Sequence, residues 1–416
     1  MLADKSGWST YSSDKSATRV DIALLVSALF LPRFALPFGN TFLKLDHVAI
    51  GVILMYQFLS GKLLVRYDRL LWFLGFALAA TSSLLLNFNG TILTGYFLFV
   101  TLFSLYSLSR PSTVDQYKST LQAFQSLVML LSCLAVVQFA ALFVGEYDRL
   151  THFYGIVPDF LLGPAQANGY VLTSFRANGI FLEEPSYLSQ FTALGIIIEV
   201  LEFRRVRYLL VLVIGFLLSY GGTGLILLLV FLPLAGLRHD RAASSALLVV
   251  IFALGLFATG IIDLSAFSSR ADEVQYRGSS GFARFVAPFY LAAGEFDIEA
   301  LRALLLGSGP GTGKFLAITG INYRYTGGFV ATWVKILHEY GIIGSFILYC
   351  FLLSCFRRSR CPGLVAAGII FAWVFLEGSM IITIPLCTLS ACGPRRGRID
   401  EASRYGPSLV AGSGAG

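Results

Sequence analysis

RANGIFLEEPS, Arg176 to Ser186, runs directly into YLSQFTALGIIIEVLEF and then into the basic residues Arg204, Arg205 and Arg207. This stretch decides the fold. Its second part is an apolar run of about twenty residues, the length that crosses a bilayer core as a helix. Its first part sets one arginine, two adjacent glutamates, a glycine and a proline at the mouth of that helix. Charge is costly there unless something uses it. The rest of the chain reads as a membrane scaffold that holds this stretch over a site.

The same signature recurs on both sides. Apolar runs fall at 20–38, 44–61, 70–87, 91–109, 120–145, 186–203, 207–219, 222–237, 245–262, 331–356, 364–377 and 379–392. The seventh and eighth are short, as are the last two, and each pair is either two helices or one kinked helix. The expected fold is therefore all-α, a polytopic membrane bundle of ten to twelve transmembrane helices, with residues 1–416 as one integral domain. Pro32, Pro233 and Pro385 fall inside these runs and predict kinks.

Composition agrees. Of the 416 residues 56% are hydrophobic and 13% charged, about half the charge of a soluble domain. The net charge of +7 is read as basic cytoplasmic loops. No basic run is interleaved with aromatics, which argues against nucleic acid. The six cysteines lie in apolar segments or beside basic clusters and form no CxxC pair, so neither a disulfide framework nor a cysteine metal site is expected. The polar first twenty or so residues are not expected to form a cleavable signal peptide.

Basic residues orient the chain. Lys62, Arg66 and Arg69 lie between the second and third runs, Arg110 and Lys118 between the fourth and fifth, and Arg204, Arg205 and Arg207 after the sixth. Arg238 and Arg241 follow the eighth, Arg357, Arg358 and Arg360 the tenth, and Arg395, Arg396 and Arg398 the last. With twelve spans every cluster falls on the side of the N-terminus, so both termini are expected in the cytoplasm. Two long segments, 147–185 and 263–330, then lie outside, where long loops in a tight bundle are usually functional. The Gly-, Ser- and Arg-rich tail 393–416 is expected to be cytoplasmic and disordered.

Candidate chemistry gathers in those outer segments. Pro185 suits a first helical position, and Glu183 and Glu184 stand where the helix dipole favours ionised carboxylates. Arg176 with these carboxylates is either a capped helix start with an interfacial ion pair or an anion-binding group beside a general base. The second loop carries Arg270, Arg277, Arg284, Arg302, Lys314 and Arg324. Arg284, in GFARFVAPFYLAAG, either snorkels to headgroups or points into a polar cavity. Glu295, Asp297 and Glu299 read as a solvated turn rather than a cation site. GSGPGTGK, Gly307 to Lys314, fails the phosphate-loop pattern, with Ser308 at the first glycine position and Phe315 where a magnesium-binding hydroxyl belongs; it reads as a structural turn. Lys335, His338 and Glu339 open the tenth run and are expected to share one helix face.

These residues resemble the O-antigen polymerase and O-antigen ligase superfamily, the Wzy-type enzymes. RANGIFLEEPS is similar to its R-x-x-G-x-F-x-E-P-S signature. In order follow LLSYGGTG (Leu217 to Gly224), similar to its short hairpin after that helix; GFAR and LLLGSGPGTG, similar to its arginine-bearing outer loop and glycine-rich turn; and ILHEYGIIGSF (Ile336 to Phe346), similar to its E-x-G-x-x-G helix start. The resemblance covers roughly 170–350. It implies a glycosyltransferase of the bacterial inner membrane that moves glycan from an undecaprenyl-diphosphate carrier to an acceptor sugar at the outer face, with no cofactor, nucleotide or metal. It implies Arg176 and Arg284 as diphosphate clamps and Glu183 or Glu184 as base. Arg270, Arg277, Lys314, Arg324, Lys335 and His338 are candidates for substrate binding. The implied partners are the undecaprenyl-diphosphate-linked oligosaccharide, membrane lipids, a chain-length regulator and a flippase.

The ligase branch carries a histidine eleven residues before the first glycine of G-x-x-G. Counting back from Gly341 gives Val330, and His338 is out of register by roughly 12 Å of helix. The expected function is therefore a polymerase of O-antigen, capsule or exopolysaccharide. The alternatives are a ligase and a lipid-linked saccharide flippase, the latter disfavoured by the long outer loops.

Overall fold

The computed structural model describes residues 15–38, 41–88, 93–109, 114–153, 156–158, 161–162, 176–238, 240–259, 275, 282, 285–290, 301–312, 317–318, 323–324, 331–357 and 363–376. The chain is a helical bundle with a few short strand pairs. Helices α1 (Lys15–Phe30), α2 (Leu45–Leu59), α3 (Tyr67–Leu86), α4 (Leu93–Leu105) and α5 (Val114–Phe143) come first. A short α6 (Tyr147–His152) precedes α7 (Pro185–Ile198), α8 (Val206–Ser219), α9 (Gly222–Arg238) and α10 (Asp240–Ala258). Then follow α11 (Leu301–Leu306), α12 (Thr332–Arg357) and α13 (Gly363–Leu376). Strands β1 (Ala35–Phe38) and β2 (Thr41–Lys44) form one antiparallel hairpin, β3 (Leu64–Val65) pairs with β4 (Leu108–Ser109), and β5 (Ala317–Ile318) pairs with β6 (Tyr323–Arg324).

Four helical stretches are long and apolar enough to cross a membrane: Tyr67–Leu86, Gln116–Phe143, Pro185–Phe203 and Thr332–Cys355. Shorter apolar helices, α2, α8 and α9 among them, surround these. Leu71, Leu78, Leu85, Phe97 and Phe143 are exposed, which suits a surface wetted by lipid rather than water.

Contacts along the helices give their directions. Arg69 at the start of α3 donates to the Cys355 carbonyl near the end of α12 (2.8 Å), while Ser83 near the end of α3 donates to the Glu339 carbonyl near the start of α12 (2.7 Å). These two helices are therefore antiparallel. Gly195 of α7 faces Leu212 of α8, and Ala177, just before α7, donates to the Leu218 carbonyl at the end of α8 (3.0 Å). So α8 runs back along α7, and the chain turns at Tyr220 and Gly221 into α9, where Gly224 meets Ser189. The LLSYGGTG pair is two helices, not one kinked helix. Loop 176–184 lies at one end of the bundle; Lys62, Arg66, Arg204, Arg205 and Arg207 lie at the other.

Three expectations need correction. The first apolar run does not continue to residue 38, and Pro32 kinks no span. Helix α1 stops at Phe30, a turn holds Pro32, and the β1–β2 hairpin follows. Proline lacks the N–H that would continue the helix, and Pro37 sits in a two-stranded ribbon that tolerates a missing donor. Pro233 does lie inside a helix, α9. Arg69 is not a loop charge: it lies within α3, is 1% exposed, and donates to the carbonyls of Tyr106 (3.2 Å), Leu108 (3.3 Å) and Cys355. It ties the ends of α4 and α12 together. Lys335, His338 and Glu339 do not share one environment: Lys335 is exposed, His338 half-buried and Glu339 buried. The apolar run 379–392, Pro385 and the tail 393–416 lie outside the described residues, as does most of 263–330.

At its far end α7 passes into a π-turn, Glu199–Phe203. Glu199 is fully buried there and takes Arg205 as a fork, Nε to Oε1 at 3.0 Å and Nη2 to Oε2 at 2.9 Å. A buried carboxylate needs such a partner.

Candidate active site

Helix α7 begins at Pro185 with Glu184 as its N-cap. Glu184 makes no side-chain cap; its Oε2 accepts from the Ser186 hydroxyl at 2.7 Å. Ahead of it the chain turns through two left-handed residues, Gly179 (φ 68°) and Ile180 (φ 69°). Glycine takes that conformation freely, whereas a β-branched residue there is strained. Such a residue persists only where its surroundings over-determine it, and such places cluster at functional sites.

The surroundings do so here. Gln138 of α5 is fully buried, and its Oε1 accepts from the backbone N–H groups of Asn178 (3.1 Å), Gly179 (2.9 Å) and Ile180 (3.3 Å). Its Nε2 donates to Asn178 Oδ1 (2.8 Å) and Thr151 Oγ1 (3.2 Å), and Asn178 Nδ2 donates to the Leu182 carbonyl (2.7 Å). Arg33 donates to the Ile180 carbonyl and to the Thr151 carbonyl, and lies 4.8 Å over the Phe153 ring. Burial lowers the Arg33 guanidinium to about 10, with the nearby Glu183 charge opposing, so it remains a cation at neutral pH. Replacing Gln138 by leucine strands the buried N–H donors of Asn178 and Gly179 at roughly 1–3 kcal/mol each, while the Ile180 N–H keeps Asn178 Oδ1 at 3.1 Å. Gln138→Leu is expected to lower the thermal midpoint and open the loop to trypsin at Arg176, measured by thermal unfolding and limited proteolysis.

Arg176 is held by its backbone. The Tyr147 hydroxyl donates to the Arg176 carbonyl at 2.9 Å, and the Arg176 N–H donates back to that oxygen at 3.4 Å. Burial pushes the Tyr147 phenol above its ordinary value, which keeps it a donor. The next residue, Ala177, is tied to Leu218 of α8. The Arg176 side chain is half-buried. Glu183 Oε1 is 2.5 Å from Lys44 Nζ at the end of β2. Behind the loop α7 packs closely on the α8–α9 turn: Gly224 N–H donates to Ser189 Oγ (3.2 Å), and a Cβ on Gly221 or Gly224 would run into Ser189.

Arg176, Glu183 and Glu184 thus lie along one loop whose backbone is tied down at residues 176 to 180. Lys335 and His338 open α12 at the same end, beside the glycine-rich turn. That turn is structural. Gly341 (φ 64°, ψ −173°) breaks α12, and Ser308 N–H donates to the His338 carbonyl (2.7 Å) and Gly309 N–H to the Glu339 carbonyl (3.2 Å). N–H groups committed in this way are not offered to a phosphate. Arg270, Arg277, Arg284 and Lys314 lie outside the described residues, as do Glu295, Asp297 and Glu299; of Arg324 the backbone alone is described, in β6. Among the described residues no three His, Cys, Asp or Glu side chains gather as metal ligands would.

Arg33, Lys44, Tyr147 and Gln138 were not picked out from the sequence. Arg33 had a readable signal, a charge inside the apolar run LFLPRFALPF. For Gln138 in α5 and Lys44 after Phe42-Leu43 the local pattern offers no more than a polar residue beside apolar ones.

A search of curated proteins finds no match to this chain. The family model described as WcaD colanic acid polymerase matches residues 26–387, which takes in the α1–α2 hairpin, the RANGIFLEEPS loop and the broken helix at Gly341. With that match spanning most of its length, the chain belongs to the WcaD colanic acid polymerase family, in keeping with the Wzy-type resemblance of its motifs.

Proposed function

We propose that this membrane protein extends an exopolysaccharide of the colanic acid type by joining lipid-linked oligosaccharide repeats at the outer face of the cytoplasmic membrane. The donor glycan rides on undecaprenyl diphosphate and the acceptor is a sugar hydroxyl of a second repeat. One observation carries this reading: the loop holding Arg176 and Glu183 is strained, locked by Gln138 and Arg33, and set at the end of the bundle away from Lys62, Arg66 and Arg204 to Arg207. Basic clusters at the opposite end favour this end as the outer one, with both termini cytoplasmic.

The chemistry follows. The acceptor oxygen attacks the anomeric carbon, its proton passes to Glu183 or Glu184, and the carbon–oxygen bond to the diphosphate breaks. The diphosphate leaves with the electron pair. Cations are needed where that charge develops, and an arginine fork suits phosphate oxygens. Arg176 takes that role in the described loop, with Arg284 as the second clamp. Arg270, Arg277, Lys314, Arg324, Lys335 and His338 are the further substrate-binding candidates of the second loop and the α12 start. No metal is needed in this scheme.

The test is a deletion strain whose surface glycan is separated by size. A single repeat on its final anchor supports polymerase. Full-length glycan stranded on the lipid carrier means ligase, and single repeats trapped on the carrier at the inner face mean flippase.

A further inference from the structure

The hairpin between α1 and α2 contributes to none of the family motifs, yet it brings two cations to the signature loop. They differ in kind. Arg33 is 3% exposed and committed on two carbonyls and an aromatic face. It cannot leave without stranding those carbonyls. Lys44 ends β2 with its side chain 42% exposed, and among the described residues one ion pair holds it, to Glu183 Oε1 at 2.5 Å. Glu183 is 18% exposed, and its Oε2 accepts no hydrogen bond among the described residues. So one carboxylate of the loop that carries Arg176 is paired with a cation that can move, while a fixed cation, Arg33, locks the same loop.

The Lys44 side of the pair is open to solvent, and an ammonium on a four-carbon stem can swing away from a part-buried carboxylate. A diphosphate carries more negative charge than a carboxylate and offers more acceptor oxygens, so it competes well for Lys44.

We propose that Lys44 is a donor-binding cation that covers Glu183 at rest and exchanges to the diphosphate when the lipid-linked donor arrives, uncovering Glu183 as the base. This rests on the donor class and site proposed above. Losing the ammonium frees Glu183 Oε1, the oxygen that Lys44 holds at rest, to accept a hydrogen bond from the acceptor hydroxyl. The acceptor hydroxyl then gives its proton to Glu183 as its oxygen bonds to the anomeric carbon. The electron pair of the broken carbon–oxygen bond goes to the diphosphate that Lys44 and Arg176 hold. The proton afterwards passes to water. Base activation is thereby tied to donor binding.

The experiment measures binding of undecaprenyl diphosphate to the full-length protein in detergent, by tryptophan fluorescence, with elongation assayed alongside. Lys44→Ala is expected to weaken binding about tenfold and Lys44→Arg to retain most of it. Glu183→Gln is expected to tighten binding about fivefold, since Lys44 no longer has to leave a carboxylate, while elongation stops. The tightening should vanish in Lys44→Ala/Glu183→Gln. A purely structural pair predicts no tightening in Glu183→Gln, and that result overturns the exchange even if Lys44→Ala fails to fold. Tightening that persists in the double variant also overturns it, as general charge removal. A wild-type protein that does not bind undecaprenyl diphosphate overturns the donor class itself, and the exchange with it.

Discussion

Arg176→Ala is expected to abolish chain extension while the protein still inserts, expresses and melts as the wild type does. Two parts of the structure make this a test of chemistry rather than folding. The backbone of residue 176 is anchored independently of its side chain, by the Tyr147 hydroxyl on its carbonyl and N–H and by the neighbouring Ala177 N–H on Leu218. The following turn is locked by Gln138 and Arg33 through backbone groups of residues 178 to 180. Truncation keeps these backbone anchors and removes a cation from the loop. Loss of one preorganised donor to developing charge costs roughly 10²–10³-fold in turnover. A product distributed over many repeats should then collapse to one or two. Arg176→Lys should rescue poorly, because an ammonium lacks the fork that meets two phosphate oxygens. The checks are the repeat-length ladder, the protein level in the membrane and the thermal midpoint. A normal ladder from Arg176→Ala removes this arginine from the mechanism.

Gly341→Ala should have the largest effect on folding. Gly341 breaks α12 with φ 64° and ψ −173°, a region closed to other residues. The break frees the carbonyls of His338 and Glu339, and the Gly307–Ser308–Gly309 turn docks on them. Asn87 Nδ2 on the Gly307 carbonyl (3.0 Å) and Ser83 on the Glu339 carbonyl fasten the same joint to α3. A Cβ on Gly341 would lie 2.6 Å from the Gly307 nitrogen and nearer still to the Leu305 carbonyl. These are backbone atoms, so no side-chain rotation relieves the clash. Backbone strain, overpacking and the loss of hydrogen bonds to freed carbonyls together cost roughly 3–5 kcal/mol. The thermal midpoint in detergent should fall sharply or the protein should fail to accumulate. Gly51→Ala is the control: it lies inside α2 with nothing within 4 Å of the added carbon, so it should be neutral or stabilising by about 1 kcal/mol. Equal midpoints for the two variants would remove the docked joint from the account.

The motifs differed in how far they could be read. LEEPS announced a helix start, and α7 does begin at Pro185, because proline at a first helical position is a local rule. GSGPGTG announced a turn through its glycines, but the carbonyls it docks on became available only because a glycine broke a helix thirty or so residues later. LFLPRFALPF has the hydropathy of a span's end, yet it holds the end of α1, a turn and β1. A hydropathy window averages over Pro32 and Pro37, and the hairpin forms because β1 finds β2. Arg69 looked like a topology marker and proved to be a buried tie, since no local pattern tells a loop arginine from one that reaches carbonyls on distant helices.

The sequence by itself determined that this chain is a helical membrane protein, where most of its helices lie and which loop carries the family signature. Bilayer thickness, helix rise and terminal preferences act within about twenty residues, so that information is written contiguously. Only the tertiary structure decided that Lys44 meets Glu183 across 139 residues, that Arg33 reaches Ile180 across 147, and that Gln138 caps three N–H groups of the loop. Each of these contacts exists because a buried or crowded polar group must find a partner somewhere. Which partner it finds is set by how the helices pack, and no spacing along the chain encodes that.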